Sequence, residues 1–87
     1  MEVQVILIVL GQRIRELRLG KGYSQEAFAD LCGVHRTFMG TVERGESNLS
    51  FMNLAKISTA LGITLSQMLS GLEKRADTLA RKPPTKG

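Results

Sequence analysis

Apolar and polar positions follow a helical period through most of this chain. From Gly11 onward Ile14 and Leu17, preceded by Leu10, fall on one face, while Arg13, Arg15 and Glu16 stand outside it, and Gly20-Lys21-Gly22 ends the segment. Ser24 is placed to cap a second helix, Gln25 to Cys32, with Phe28 and Leu31 one turn apart beside Ala27 and Gly33 closing it. A third helix, about Arg36 to Arg44, carries Phe38, Met39 and Val42 and stops at Gly45. After the polar loop Glu46-Ser47-Asn48, Ser50 caps a fourth in which Leu54, Ile57, Ala60 and Leu61 repeat before Gly62. Thr64-Leu65-Ser66-Gln67 has capping-box spacing for a short fifth helix through Met68 and Leu69 to Leu72. The expected fold class is all-α, with five short helices over residues 11–72.

Both ends break this pattern. The run Val3 to Leu10, VQVILIVL, is too short to span a membrane, which needs roughly 20 residues. Glu2 before it and Gly11-Gln12-Arg13-Ile14-Arg15 after it are wrong for an export signal. Its β-branched residues favour an extended strand, so residues 1–10 are expected to form an apolar arm. Such an arm either packs on its own domain, flowing into the first helix, or pairs with the same strand of a second subunit, because a lone strand has unsatisfied edges. Residues 73–87 are polar and end in Arg81-Lys82-Pro83-Pro84-Thr85-Lys86-Gly87, which reads as a frayed helix giving way to a disordered basic tail.

Composition narrows the function more by exclusion than by direction. At 87 residues, with 43% hydrophobic and 23% charged residues, the chain holds one small core and no second domain. The lone cysteine, Cys32, permits no intrachain disulfide and fits the reducing cytoplasm. Twelve basic against eight acidic residues give a net charge of +4, a mild pointer to a polyanion. The excess lies mostly in residues 72–87, so charge alone does not make the case for nucleic acid. One histidine, one cysteine, two aspartates and no Gly-rich phosphate loop leave no convergent set for catalysis, and the same shortage excludes a metal site. No cofactor and no small-molecule effector are expected.

The informative segment is residues 25–44, two short helices joined by a three-residue junction that contains a glycine. A helix-turn-helix needs a small residue where the helices cross, a residue tolerant of positive φ at the turn, and apolar residues on the facing sides. Ala29, Gly33 and the set Phe28, Cys32, Val34, Met39 and Val42 meet these needs in register. Here the chain resembles the phage repressor and Cro type of regulator, the Xre-like family, through GQRIRELRLGKGYSQEAFADLCGV, HRTFMGTVERGE and SFMNLAKISTALGITLSQML. Within it, Arg36-Thr37-Phe38 with Glu43-Arg44-Gly45 and Asn48-Leu49-Ser50 look closest to the controller proteins of restriction-modification systems. The resemblance implies a compact five-helix domain that binds double-stranded operator DNA as a homodimer, with the third helix in the major groove. His35 departs from the family's usual capping residue, Gly40 from its usual polar residue, and Ser47 from a loop position that is often basic in the controller group.

Site residues follow from that geometry and that resemblance. A recognition helix reads bases from its N-terminal end and one turn further along the same face, here Arg36, Thr37, Gly40 and Thr41. Arg36 suits a guanine, and the threonines can offer a hydroxyl or a methyl to a thymine. Gln25 at the second helix's N-terminus is placed as a phosphate clamp, and Ser24, His35, Arg44 and Asn48 are further phosphate candidates. The resemblance implies a partly buried ion pair between Arg18 and Glu43. So small a domain has too little interior for all of Ile63, Leu65, Met68, Leu69 and Leu72, so some of them are expected to form the dimer interface. The competing functions are an antitoxin-type regulator that binds DNA and a toxin, and a protein-binding module on the same fold.

Overall fold

Side-chain chemistry at the helix ends sets most boundaries. In the computed structural model, which describes residues 3–81, six helices follow one another: α1 (Val3–Gly20), α2 (Gln25–Cys32), α3 (Arg36–Glu43), α4 (Phe51–Leu61), α5 (Leu65–Leu69) and α6 (Leu72–Ala80). Ser24 accepts from the Ala27 N–H at 3.0 Å to open α2, and Ser50 accepts from the Asn53 N–H at 3.1 Å to open α4. Thr64 and Gln67 bond reciprocally, each at 2.9 Å, in the capping box that starts α5. Gly33, at φ 76°, makes the left-handed turn between α2 and α3. No helix among the described residues is long and apolar enough to cross a membrane.

Two expectations about the ends are corrected. Residues 3–10 are not a strand but the first turns of α1. Val9 and Leu10 are buried, and Val5 and Ile6 pack against the core, so tertiary contacts override the β-branched preference for extended backbone. Their neighbour is the second correction. Residues 73–80, expected to fray, and Leu72, expected to end the fifth helix, together form α6, which packs along α1 with Leu72 and Ala76 inside. Arg75 bonds Glu16 of α1 at 3.2 and 2.5 Å, and this hydrogen bond holds the Glu16 carboxyl below its usual range. Lys82 to Gly87, the rest of the expected basic tail, lie outside the described residues.

The core is built on Phe28, Ile14, Met39, Ile57, Leu61 and Met68, all fully buried. Arg13 fastens α5 to α1 by donating to the Met68 and Gln67 carbonyls at 3.2 and 3.0 Å. Where α1 meets the end of α3 there is no room for side chains. A Cβ on Gly11 would lie 2.7 Å from the Glu43 carbonyl oxygen, and one on Gly45 would lie 2.6 Å from the Ile8 Cα. Gly11→Ala must therefore push the two helices apart, and we expect it to destabilise the fold by about 1–3 kcal/mol in urea unfolding. An unchanged midpoint would show that this contact is looser than described. Burial also pushes the Cys32 thiol from its ordinary 9.0 to about 11. Because the folded value is the higher, stability is retained below about pH 9 and declines as pH rises towards about 11. The alkaline loss of stability should be shallower in Cys32→Ala than in wild type, read from urea titrations across that range.

Candidate nucleic-acid interface

The interface begins with a buried charge. Arg18, in the last turn of α1, donates from Nε to Glu43 Oε2 at 2.7 Å and from Nη2 to Glu43 Oε1 at 2.9 Å. Its Nη1 donates to the Tyr23 carbonyl at 2.8 Å, and Gln25 Nε2 donates to Glu43 Oε1 at 3.1 Å. The Arg18 and Glu43 side chains are only 8% and 4% exposed, so this bidentate pair sits in low dielectric with its polar atoms satisfied. It ties the end of α1, the turn before α2 and the end of α3 into one unit. The inner face of α3, Met39 and Val42, is locked into the core beneath it.

That anchoring leaves one face of α3 turned outward. Arg36 and Thr37 are exposed at its start, and Arg36 reaches Glu26 at 4.0 Å between two largely solvated side chains. Such a contact is weak and easily exchanged. Thr41 is half-buried, and its hydroxyl is already engaged, donating to the Phe38 carbonyl at 2.7 Å and pairing with the Ser47 hydroxyl. It holds the loop after α3 through Ser47. Gly40 is covered by the side chains of Arg44 and Gln25.

The phosphate candidates are distributed around this face. Ser24 Oγ accepts from the Ala27 N–H in the cap of α2 and keeps its O–H as a donor, while Gln25 donates its side-chain amide to Glu43, so the start of α2 can offer an anion the Ser24 hydroxyl and free backbone N–H groups. His35 is the exposed N-cap of α3 and makes no side-chain cap bond. Asn48 is exposed in the α3–α4 loop, and Arg44 is exposed with its Nε 3.2 Å from Glu46. Reading the sequence missed Arg15. With Arg18, Gln25, Gly40, Glu43 and Arg44 it lines a cavity of about 160 Å³ beside α3. The available signal was its position three residues before Arg18, on the same side of α1.

The expected dimer surface is smaller than the sequence suggested. Met68 is 0% and Leu72 4% exposed, because α6 and the early turns of α1 supply an interior that the five-helix reading lacked. Ile63, Leu65 and Leu69 are half-buried and retain outward-facing surface.

A helix-turn-helix family model matches residues 14–68, from the middle of α1 through α5. The chain belongs to the helix-turn-helix family. It is 44% identical over 70 residues to the control protein C.MunI of a Mycoplasma species, covering 79% of this chain and 95% of that one. It is 43% identical over 65 residues to control protein C.BamHI of Bacillus amyloliquefaciens, covering 74% and 80%. In three dimensions it is similar to the restriction-modification controller protein C.AhdI from Aeromonas hydrophila, with a TM-score of 0.75 and 44% identity over 78% of this chain and 99% of that one. The helix-turn-helix itself, α2 and α3, lies wholly inside the matched region, whereas α6 and the first turns of α1 lie outside it.

In this helix-turn-helix the Arg18–Glu43 pair sets the pose of α3. Arg18→Met strands the buried carboxylate and is expected to cost about 3–5 kcal/mol in urea unfolding. Adding Glu43→Leu should recover most of that loss, since no unpaired charge then remains buried. Wild-type stability in the single variant would contradict this assignment.

Proposed function

We propose that this chain is a sequence-specific DNA-binding transcriptional regulator that occupies a two-fold operator as a homodimer. The observation that carries the reading is the exposure of Arg36 and Thr37 on a helix whose opposite face is fixed by a buried ion pair. A helix so held can enter a major groove without reorganising. Arg36 is the reader best suited to a guanine edge, with Thr37 and Thr41 beside it. Backbone N–H groups at the start of α2, together with His35, Arg44 and Asn48, fit phosphates and fix the register. The names of the relatives, control and controller proteins, support regulation over other uses of the fold.

The homodimer follows from the size of one recognition helix, which reads too few base pairs to find one site among many. Ile63, Leu65 and Leu69 supply the outward apolar surface of α5 and its approach for an isologous contact. Half-sites then lie about one helical turn, roughly 34 Å, apart. Occupancy over a promoter represses and occupancy just upstream recruits polymerase, with protein concentration as the control. The chemistry is binding, not catalysis, and its setting is the cytoplasm. A protein partner in addition to DNA, as in an antitoxin-type regulator, is the second reading. It is favoured by the open groove between α2 and α4, where Leu31 and Met52 are 53% and 65% exposed.

Selection of bound sites from random duplex DNA should enrich a symmetric consensus. At fixed salt, Arg36→Ala should lower affinity for that site by about 1–3 kcal/mol and relax selection at one position in each half-site. Failure to enrich any sequence would overturn the reading, and equal affinity of the variant would remove Arg36 from it.

A further inference from the structure

Gly40 stands in the middle of α3, on the face where a recognition helix ordinarily carries a reading side chain. A glycine there weakens the helix, which asks for a compensating role. The space above it is not empty. A Cβ on Gly40 would lie 3.2 Å from Arg44 Nη1 and 3.5 Å from Gln25 Oε1, and its near contacts are with side chains, not backbone. The Arg44 guanidinium thus lies back along α3 over its own preceding turn, and the Gln25 side chain of α2 borders the same space. Its Nε faces Glu46 at 3.2 Å, while Nη1 lies over the glycine. Arg15 of α1, exposed, lines the same 160 Å³ cavity as Arg44, together with the buried Arg18–Glu43 pair, whose two charges offset each other. What remains in the cavity are two guanidiniums, one from α1 and one from the residue that caps the C-terminus of α3.

We infer that Gly40 builds a seat for one DNA backbone phosphate: by withholding a side chain it lets Arg44 fold back beside Gln25 and line, with Arg15, a notch that opens next to the recognition face. The inference rests on the DNA-binding reading and adds Arg15 and Gly40 to it. Gly40 is a positioning residue, acting through Arg44, and touches no base. A phosphate oxygen replaces the solvated Glu46 as the partner of Arg44, an exchange between two exposed groups that involves little desolvation. Two arginines on separate elements also bind the one phosphate, so the seat fixes the angle of α3 as well as adding affinity.

The test is a salt titration of duplex binding by wild type, Gly40→Met, Arg44→Gln and Arg15→Gln. It uses the selected site and an unrelated duplex, alongside thermal melting. Methionine is a better helix former than glycine and fills the notch. Gly40→Met should therefore melt no lower than wild type, yet bind both duplexes more weakly, with a shallower dependence on salt. Arg15→Gln and Arg44→Gln should each reduce the slope of log K against log salt by about 0.9. Gly40→Met combined with Arg44→Gln should lose no more than the larger single change. Wild-type slopes in Arg15→Gln, or fully additive losses in the double variant, overturn the seat. Should Gly40→Met fold poorly, Arg15→Gln alone decides, because its side chain is exposed. Measuring the unrelated duplex separates the two readings. A chain that enriches no consensus but shows these slope losses keeps the seat and loses sequence reading, while a consensus with unchanged slopes does the reverse.

Discussion

The structure depends on one buried ion pair. Arg18 and Glu43 sit almost out of solvent, and two charges so placed are tolerable only when their geometry is good and the remaining polar atoms are bonded. Here the guanidinium is spent on both carboxylate oxygens and on the Tyr23 carbonyl, and Gln25 adds a further bond to the carboxylate. The net gain in stability from such a pair is small, but any displacement of α3 relative to α1 would strand a buried charge. The pair therefore acts as a register. It permits one pose of the third helix, and that pose turns Arg36 and Thr37 to solvent.

A second constraint, steric instead of electrostatic, acts at the same junction. Gly11 and Gly45 allow α1 to lie directly on the backbone at the end of α3, with Ile8 against Gly45. This close approach needs α1 to continue upstream as a helix, and α6 covers the upstream part, with Leu72 and Ala76 buried. Thus α6 and the early turns of α1, both outside the region matched by the family model, brace the helix-turn-helix from behind. They also take Met68 and Leu72 into the core, which leaves Ile63, Leu65 and Leu69 half-buried at its margin.

What could be read from the sequence divides along the distance over which each feature is determined. Ser24, Gly33, Ser50, Gly62 and the Thr64–Gln67 box act within one turn, and both ends of α2 and α4 and the start of α5 lie beside them. The segment Val3–Leu10 is different. Its intrinsic preference is extended, and packing against distant elements makes it helical, with Ile8 lying on Gly45 just after α3 and α6 running along α1. The signal for α6 was present as Leu72, Ala76 and Leu79 at helical spacing, masked by the charges between them. On the site, Arg36 and Thr37 stand where helix phase alone puts them. Thr41 could not be judged that way, since its hydroxyl is committed to Phe38 and to Ser47 in the following loop. Arg15 enters only once α1, α2 and α3 are packed around one cavity.

The buried junction thus leaves the polar outer side of α3, with Arg36 and Thr37, open to solvent. The most direct measurement is amide chemical-shift mapping of the labelled protein titrated with its selected duplex. The account predicts that the largest changes fall at the start of α2, along residues 35–41 of α3 and around Arg15 and Arg44, with α6 unaffected. Changes confined to the groove between α2 and α4, around Leu31 and Met52, would contradict it.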